Sequence, residues 1–184
     1  LLVDATHPFA EQMTRHAWEA TQETAVRHLH LRRPEWTPMP PEQWIQVPDL
    51  DAAAAVLPSG ARAFAATGRG SLDAFSVRED VFVILRVFDP PSIPFQGNGT
   101  FEVARPPFAV SDEVDRLTRF RATHLVVKNA GGAPARTKLT AAAELGLPIV
   151  IVTRPRLPDG IEPIEAVPEL LSRIDRPGRE NDPG

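Results

Sequence analysis

Three short stretches combine groups that bind anions or move protons with small residues that let a ligand approach the backbone. They are Asp4-Ala5-Thr6-His7-Pro8, Thr67-Gly68-Arg69-Gly70-Ser71 and Lys128-Asn129-Ala130-Gly131-Gly132. In the first, Asp4, Thr6 and His7 cluster where an apolar run gives way to a helical pattern. An imidazole there can orient a substrate or relay a proton, and Thr6 or its neighbouring N–H groups can hold a ligand. The same residues serve equally as a helix cap and a turn. In the second, glycines at a strand-to-helix turn let backbone donors reach an anion, and the guanidinium of Arg69 can fork onto a phosphate or carboxylate. The spacing is not G-x-G-x-x-G, so an ordinary tight turn built from Thr67, Gly68 and Arg69 fits as well. In the third, Lys128 closes an apolar strand and is followed by Asn129 and the Gly131-Gly132 pair, with Lys138 shortly beyond. That pattern suits an anion or ribose site; the alternative is an exposed glycine-rich connection. Arg154, after another apolar run, either faces the same cleft or sits on the surface.

The remaining candidates are weaker. His28 and His30 share one face of a strand by alternation, yet neither they nor His16 and His124 show metal-ligand spacing with acidic partners, so no metal is expected. Trp18, Trp36 and Trp44 read as core or interdomain packing. The 184-residue chain carries a net charge of −4 with 42% hydrophobic residues. That is the balance of a soluble globular protein, with no general attraction to nucleic acid or membrane. No apolar run approaches the ~18 residues that cross a bilayer. Cysteine is absent, which removes disulfides and thiolate metal sites. With no secretory pattern at the start, the cytoplasm is the expected compartment.

The elements that must hold these groups follow from periodicity and punctuation. Ala10, Met13, Ala17 and Ala20 predict an amphipathic helix over 8–23. Strands are expected over 25–31, 44–47, 61–66, 81–87, 101–104, 124–128 and 148–152. Helices are expected over 50–57, capped by Asp49, then 72–75, 111–121, 136–145 (with Gly146 as C-cap) and 167–174. Alternating strands and helices predict an α/β fold with mainly parallel sheets. The Pro-rich stretch 34–41 reads as a crossover between two units. The division expected is an incomplete first unit over 1–40, a second over 41–175 and a disordered tail over 176–184. Because Leu1 stands inside a strand, sequence upstream of it is expected to be missing.

Taken together, the chain resembles the precorrin-6A and cobalt-precorrin-6A reductase family of cobalamin biosynthesis. The resemblance rests on Asp4-Ala-Thr-His-Pro-Phe-Ala10, Arg33-Pro34 with Trp36, Val47-Pro-Asp49, Thr67-Gly68-Arg69 and Lys128-Asn-Ala-Gly-Gly132. Thr137-Lys-Leu139, Ala141-Ala142, Leu145-Gly-Leu-Pro148 and Arg154-Pro155 extend it over nearly the whole chain. It implies two Rossmann-like α/β domains, with NADPH and a tetrapyrrole substrate in the cleft between them, around His7 and Lys128. It also implies hydride transfer from NADPH to a carbon–carbon double bond of a corrin precursor, in a monomer or weak homodimer. On that reading Asp4, Thr6 and His7 are catalytic. Thr67, Gly68, Arg69, Lys128, Asn129, Gly131, Gly132 and Lys138 bind cofactor, and Arg154 binds substrate carboxylates. The resemblance also implies a leading glycine-rich turn that meets the cofactor pyrophosphate, and this chain is expected to lack it. A non-catalytic tetrapyrrole- or nucleotide-binding module is therefore the alternative, with an unrelated doubly wound nucleotide-binding transferase a third reading.

Overall fold

The structure, a computed structural model, describes residues 1–24 and 26–175. The tail expected over 176–184 lies outside the described residues. The chain divides into two compact units: Trp36–Arg154, and Leu1–Glu35 together with the segment from Pro155 onward. The return of 155–175 to the first unit departs from the expected division at residue 40. Its cause is β-pairing by a two-residue strand that carries no periodic signal of its own.

The larger unit is a six-stranded sheet built from β3 (Trp44–Val47), β4 (Arg62–Ala66), β5 (Phe82–Val87), β6 (Gly99–Val103), β7 (His124–Lys128) and β8 (Ile149–Val152). Every pairing is parallel, and the spatial order is β3-β8-β7-β4-β5-β6. Both faces are covered, which explains why the central strands are apolar without alternation. Phe64, Ile84, Leu125, Val127, Ile149 and Ile151 pack in one cluster with Leu117 of α4 (Val110–Arg119) and Leu139, Ala141 and Ala142 of α5 (Thr137–Glu144). Their alternate neighbours Ala63, Ala65, Val83 and Leu85 are equally buried, so the opposite face is covered too. The short helices α2 (Leu50–Val56) and α3 (Leu72–Ser76) pack against each other. Asp49 caps α2 as expected, accepting the Ala52 N–H at 2.7 Å. Helix α4 begins at Val110, with Asp112 accepting the Ala109 N–H at 3.0 Å.

Strand order carries the functional geometry. From β4 the chain steps outward to β5 and β6; from β7 it steps the other way to β8. The reversal lies between β4 and β7, which pair up to Ala66↔Val127. Residues that follow these ends, Thr67 onward and Lys128 onward, therefore emerge side by side where open parallel sheets bind ligands.

The smaller unit is a three-stranded parallel sheet of β1 (Leu2–Asp4), β2 (His28–Leu31) and β9 (Pro163–Ile164), in the order β1-β2-β9. Leu29 and Ile164 pack with Leu170 of α6 (Val167–Ile174). By alternation, His28 and His30 point to the other face. Helix α1 runs over Glu11–Thr24, three residues later than expected. Pro8 stands instead in a turn closed by the Ala10 N–H to the His7 carbonyl at 2.7 Å. The buried positions of α1 are Thr14 and Thr21, whereas Met13 is exposed. Of the expected Ala/Met stripe, Ala10 and Ala17 are half-buried while Met13 and Ala20 are exposed; Thr14 meets the Thr6 hydroxyl just beyond β1 and Thr21 bonds back to the Trp18 carbonyl. Among the described residues no helix is long and apolar enough to cross a membrane.

Candidate functional site

The turn after β4 is locked by its own hydroxyls. Thr67 Oγ1 and Ser71 Oγ lie 2.6 Å apart, and Ser71 Oγ donates to the Gly68 carbonyl at 2.7 Å. Gly68 has φ +82° and ψ 168°, a combination that essentially only glycine tolerates. A Cβ at Gly68 or Gly70 would meet nothing within 4 Å, so open space faces this turn. Arg69 is exposed, and no side-chain hydrogen bond or ion pair engages it among the described residues. The result is a fixed backbone cradle with an uncommitted guanidinium above it.

The turn after β7 is held differently. Gly131 and Gly132 both have positive φ, +71° and +82°. Asn129, expected to meet cofactor, spends its side-chain amide on the backbone of Trp36. Its Oδ1 accepts the Trp36 N–H at 2.9 Å, and its Nδ2 donates to the Trp36 carbonyl at 3.1 Å. The Trp36 indole then donates to the Gly132 carbonyl at 2.8 Å. Arg154 donates through Nε to the Asn129 carbonyl at 2.7 Å and through Nη2 to that of Ala130 at 3.2 Å. Both side chains therefore shape the loop. Lys128, at the strand end, is half-buried, and burial lowers the pKa of its amine.

Lys138 points inward. Its Nζ donates to the Ala135 carbonyl at 2.6 Å and lies 5.2 Å from the Trp36 ring centroid. Burial pushes its amine down to about 8 from 10.5; Glu113 opposes the shift and Arg86 adds to it. Between those two pH values the unfolded chain holds more protons than the folded one, so stability rises with pH through that window. The chain has neither Cys nor Tyr, so the two lysines are its only side chains expected to titrate there. Urea unfolding at pH 7.5 and pH 10 is expected to show higher stability at pH 10. In Lys138→Met the gain shrinks to what Lys128 contributes, and an unchanged gain would contradict the assignment.

In the smaller unit, Asp4 is buried at the end of β1. Its Oδ1 accepts the Thr6 N–H and its Oδ2 meets His30 Nδ1, both at 2.9 Å. Burial opposes ionisation of Asp4. The Thr6 N–H, the hydroxyls of Thr6 and Thr14, and His30 outweigh it and hold the carboxyl below its ordinary range. Thr6 Oγ1 lies 3.2 Å from Thr14 Oγ1. His7 is exposed and accepts the Phe9 N–H on Nδ1 at 3.3 Å. When that contact is made in the neutral ring, the ring proton sits on Nε2. Asp4, Thr6 and His7 thus occupy one turn ahead of the first residue of α1, Glu11.

Sequence reasoning missed a buried charge network in the larger unit. Arg86 of β5 donates to Glu113 of α4 through both Nη atoms, 2.8 Å for the Nη1 contact, and through Nε to Glu102 of β6 at 3.2 Å. Glu102 also pairs with Arg116 and Arg119, each at 3.1 Å. The rings of Phe64 and Phe108 flank the Arg86 guanidinium at 4.7 and 4.6 Å. A lone arginine in an apolar strand was the available signal. Among the described residues no group of three or more His, Asp or Glu side chains could hold a metal ion.

Comparison with known proteins decides the family. The family model described as precorrin-6x reductase CbiJ/CobK matches residues 1–175. The chain belongs to the precorrin-6x reductase family. It is 42% identical over 174 residues to the precorrin-6A reductase of Rhodococcus erythropolis, covering 94% of this chain and 70% of that protein. It is likewise 42% identical to the precorrin-6A reductase of Rhodobacter capsulatus, covering 85% and 63%. A cobalt-precorrin-6A reductase of Methanothermobacter thermautotrophicus is 29% identical, covering 85% of this chain and 55% of that protein. A solved structure described as CobK precorrin-6A reductase superposes with a TM-score of 0.89 at 38% identity, over 94% of this chain and 71% of that one. Its likeness supports the parallel α/β architecture described above.

Proposed function

We propose that this chain takes part in NADPH-dependent reduction of a carbon–carbon double bond in a corrin-precursor macrocycle. The observation that carries the proposal is the strand-order reversal in the larger unit, which sets the Thr67 and Lys128 turns next to each other. The residues there suit an anionic group: a glycine-only backbone at Gly68, open space above it, the exposed Arg69 and the positive-φ pair Gly131-Gly132. Bound NADPH would supply a hydride to one carbon of the double bond, while a proton is added to the neighbouring carbon and NADP+ is released.

The chain's own work is binding and orientation. Thr67, Gly68 and Arg69, with Lys128 and Gly131-Gly132, hold the phosphate-bearing cofactor. Asn129, Lys138 and Arg154 keep the Lys128 turn in shape. Asp4 and Thr6 fix the turn from which His7 meets the tetrapyrrole. Fluorescence titration of the full-length protein with NADPH tests the reading. Arg69→Ala is expected to weaken binding about 10- to 100-fold, the worth of a charge-assisted hydrogen bond. Absence of saturable NADPH binding by the wild type would overturn it. A tetrapyrrole absorbance shift without NADPH oxidation would point to a binding module instead.

A further inference from the structure

Beside the Thr6-His7 turn stands a histidine that the functional reading does not use. His30 is 3% exposed, in the middle of β2, and pairs with Asp4 across the β1–β2 register. Asp4 is an anion at neutral pH, so its Oδ2 can only accept. The proton of this 2.9 Å contact therefore belongs to His30 Nδ1. The other ring nitrogen, Nε2, is buried with no hydrogen-bond partner. His30 borders a cavity of about 180 Å³ also lined by Trp18, His28, Gly160, Glu162 and Arg173, among others. The His28 ring stacks on His30 at 6.2 Å, with the Trp18 edge on its other side at 5.5 Å. The Asp4 contact and the His28 stack together hold the orientation of the His30 ring.

We propose that His30 is a positioning residue for the reduction: its Nδ1–H fixes the Asp4 carboxylate, which fixes the Thr6 N–H and so aims the turn bearing His7. The chain of dependence is short, running from His30 Nδ1 to Asp4 Oδ2, then from Asp4 Oδ1 to the Thr6 N–H, each link 2.9 Å. A carboxylate bound on both oxygens cannot rotate. Without His30 the carboxylate keeps only its Thr6 and Thr14 partners, and the turn loses one of its reference points. This role rests on the reductase reading above.

The test uses the full-length enzyme and three forms: wild type, His30→Asn and His30→Leu. Asparagine can place an amide N–H close to where Nδ1 stands; leucine fills the space and donates nothing. His30→Leu is expected to lower kcat at least 10-fold while KM for NADPH changes less than about 2-fold. His30→Asn is expected to recover to within about 3-fold of wild type. A kcat for His30→Leu equal to wild type, or a His30→Asn as impaired as His30→Leu, overturns the role. An inactive wild type removes the reductase reading itself, and the role with it. Should His30→Leu fail to fold, nitrogen-15 imidazole spectra of the wild type decide the matter. A proton on His30 Nδ1 is expected, and an Nδ1 that carries none overturns the proposal.

Discussion

Glu113→Leu, with Arg86 left in place, is expected to destabilise the protein by about 3–5 kcal/mol, the loss associated with stranding one partner of a buried ion pair. Arg86 is 6% exposed and Glu113 1% exposed. Removing the glutamate leaves a guanidinium between two phenylalanine rings with only its Nε contact to Glu102. Glu102 cannot take up the slack, since Arg116 and Arg119 already share its other oxygen. The double variant Arg86→Met with Glu113→Leu is expected to recover most of the loss, because neither charge then needs solvation and the volume stays filled. Urea midpoints for the two single variants and the double variant form the required cycle. A Glu113→Leu variant within about 1 kcal/mol of wild type would show that the network carries little stability.

Asn129→Leu should be the second most damaging change, at about 2–4 kcal/mol, because it orphans two backbone groups of a buried tryptophan. Trp36 is 6% exposed, and its N–H and carbonyl both end on the Asn129 amide. Asn129→Asp separates the halves: the acceptor for the N–H survives while the donor to the carbonyl is lost. An intermediate stability is expected for aspartate. The same variants should weaken NADPH binding by the full-length protein more than their stability loss explains, since the loop that carries Gly131 and Gly132 would lose its anchor. Calorimetric titration below the unfolding range checks this, and unchanged affinity in Asn129→Leu would detach the clasp from ligand binding.

Much of the architecture was legible in the sequence for identifiable reasons. β3 and β7 fall on the residues expected, and so does α6, because β-branched runs and a Pro-started amphipathic segment announce themselves locally. The Asp49 cap was readable from residue type alone. What escaped depends on partners distant in the chain. β9 is two residues long and exists only because Leu31 meets Ile164. The burial of Thr14 rather than Met13 follows from hydroxyl partners at the end of β1. Among site residues, the Thr67 and Lys128 turns stood out by composition. The inward aim of Lys138 and the carbonyl contacts of Arg154 did not, because a long side chain's direction is set by tertiary packing. Arg86 and His30 each left a trace, as a charge inside an apolar strand and as an imidazole alternating with leucine.

The return of the chain to β2 sets an order of events at birth. β2 reaches its neighbour β9 only after the whole of Trp36–Arg154 has been synthesised. A parallel pairing over so long a separation must close a large loop before it gains anything. A larger unit that collapses first would shorten that loop by bringing Glu35 and Pro155 out of a folded body. A ribosome-stalled chain in which Arg154 has just cleared the exit tunnel would then hold a protease-resistant larger unit, with β2 still presenting a bare edge to chaperones.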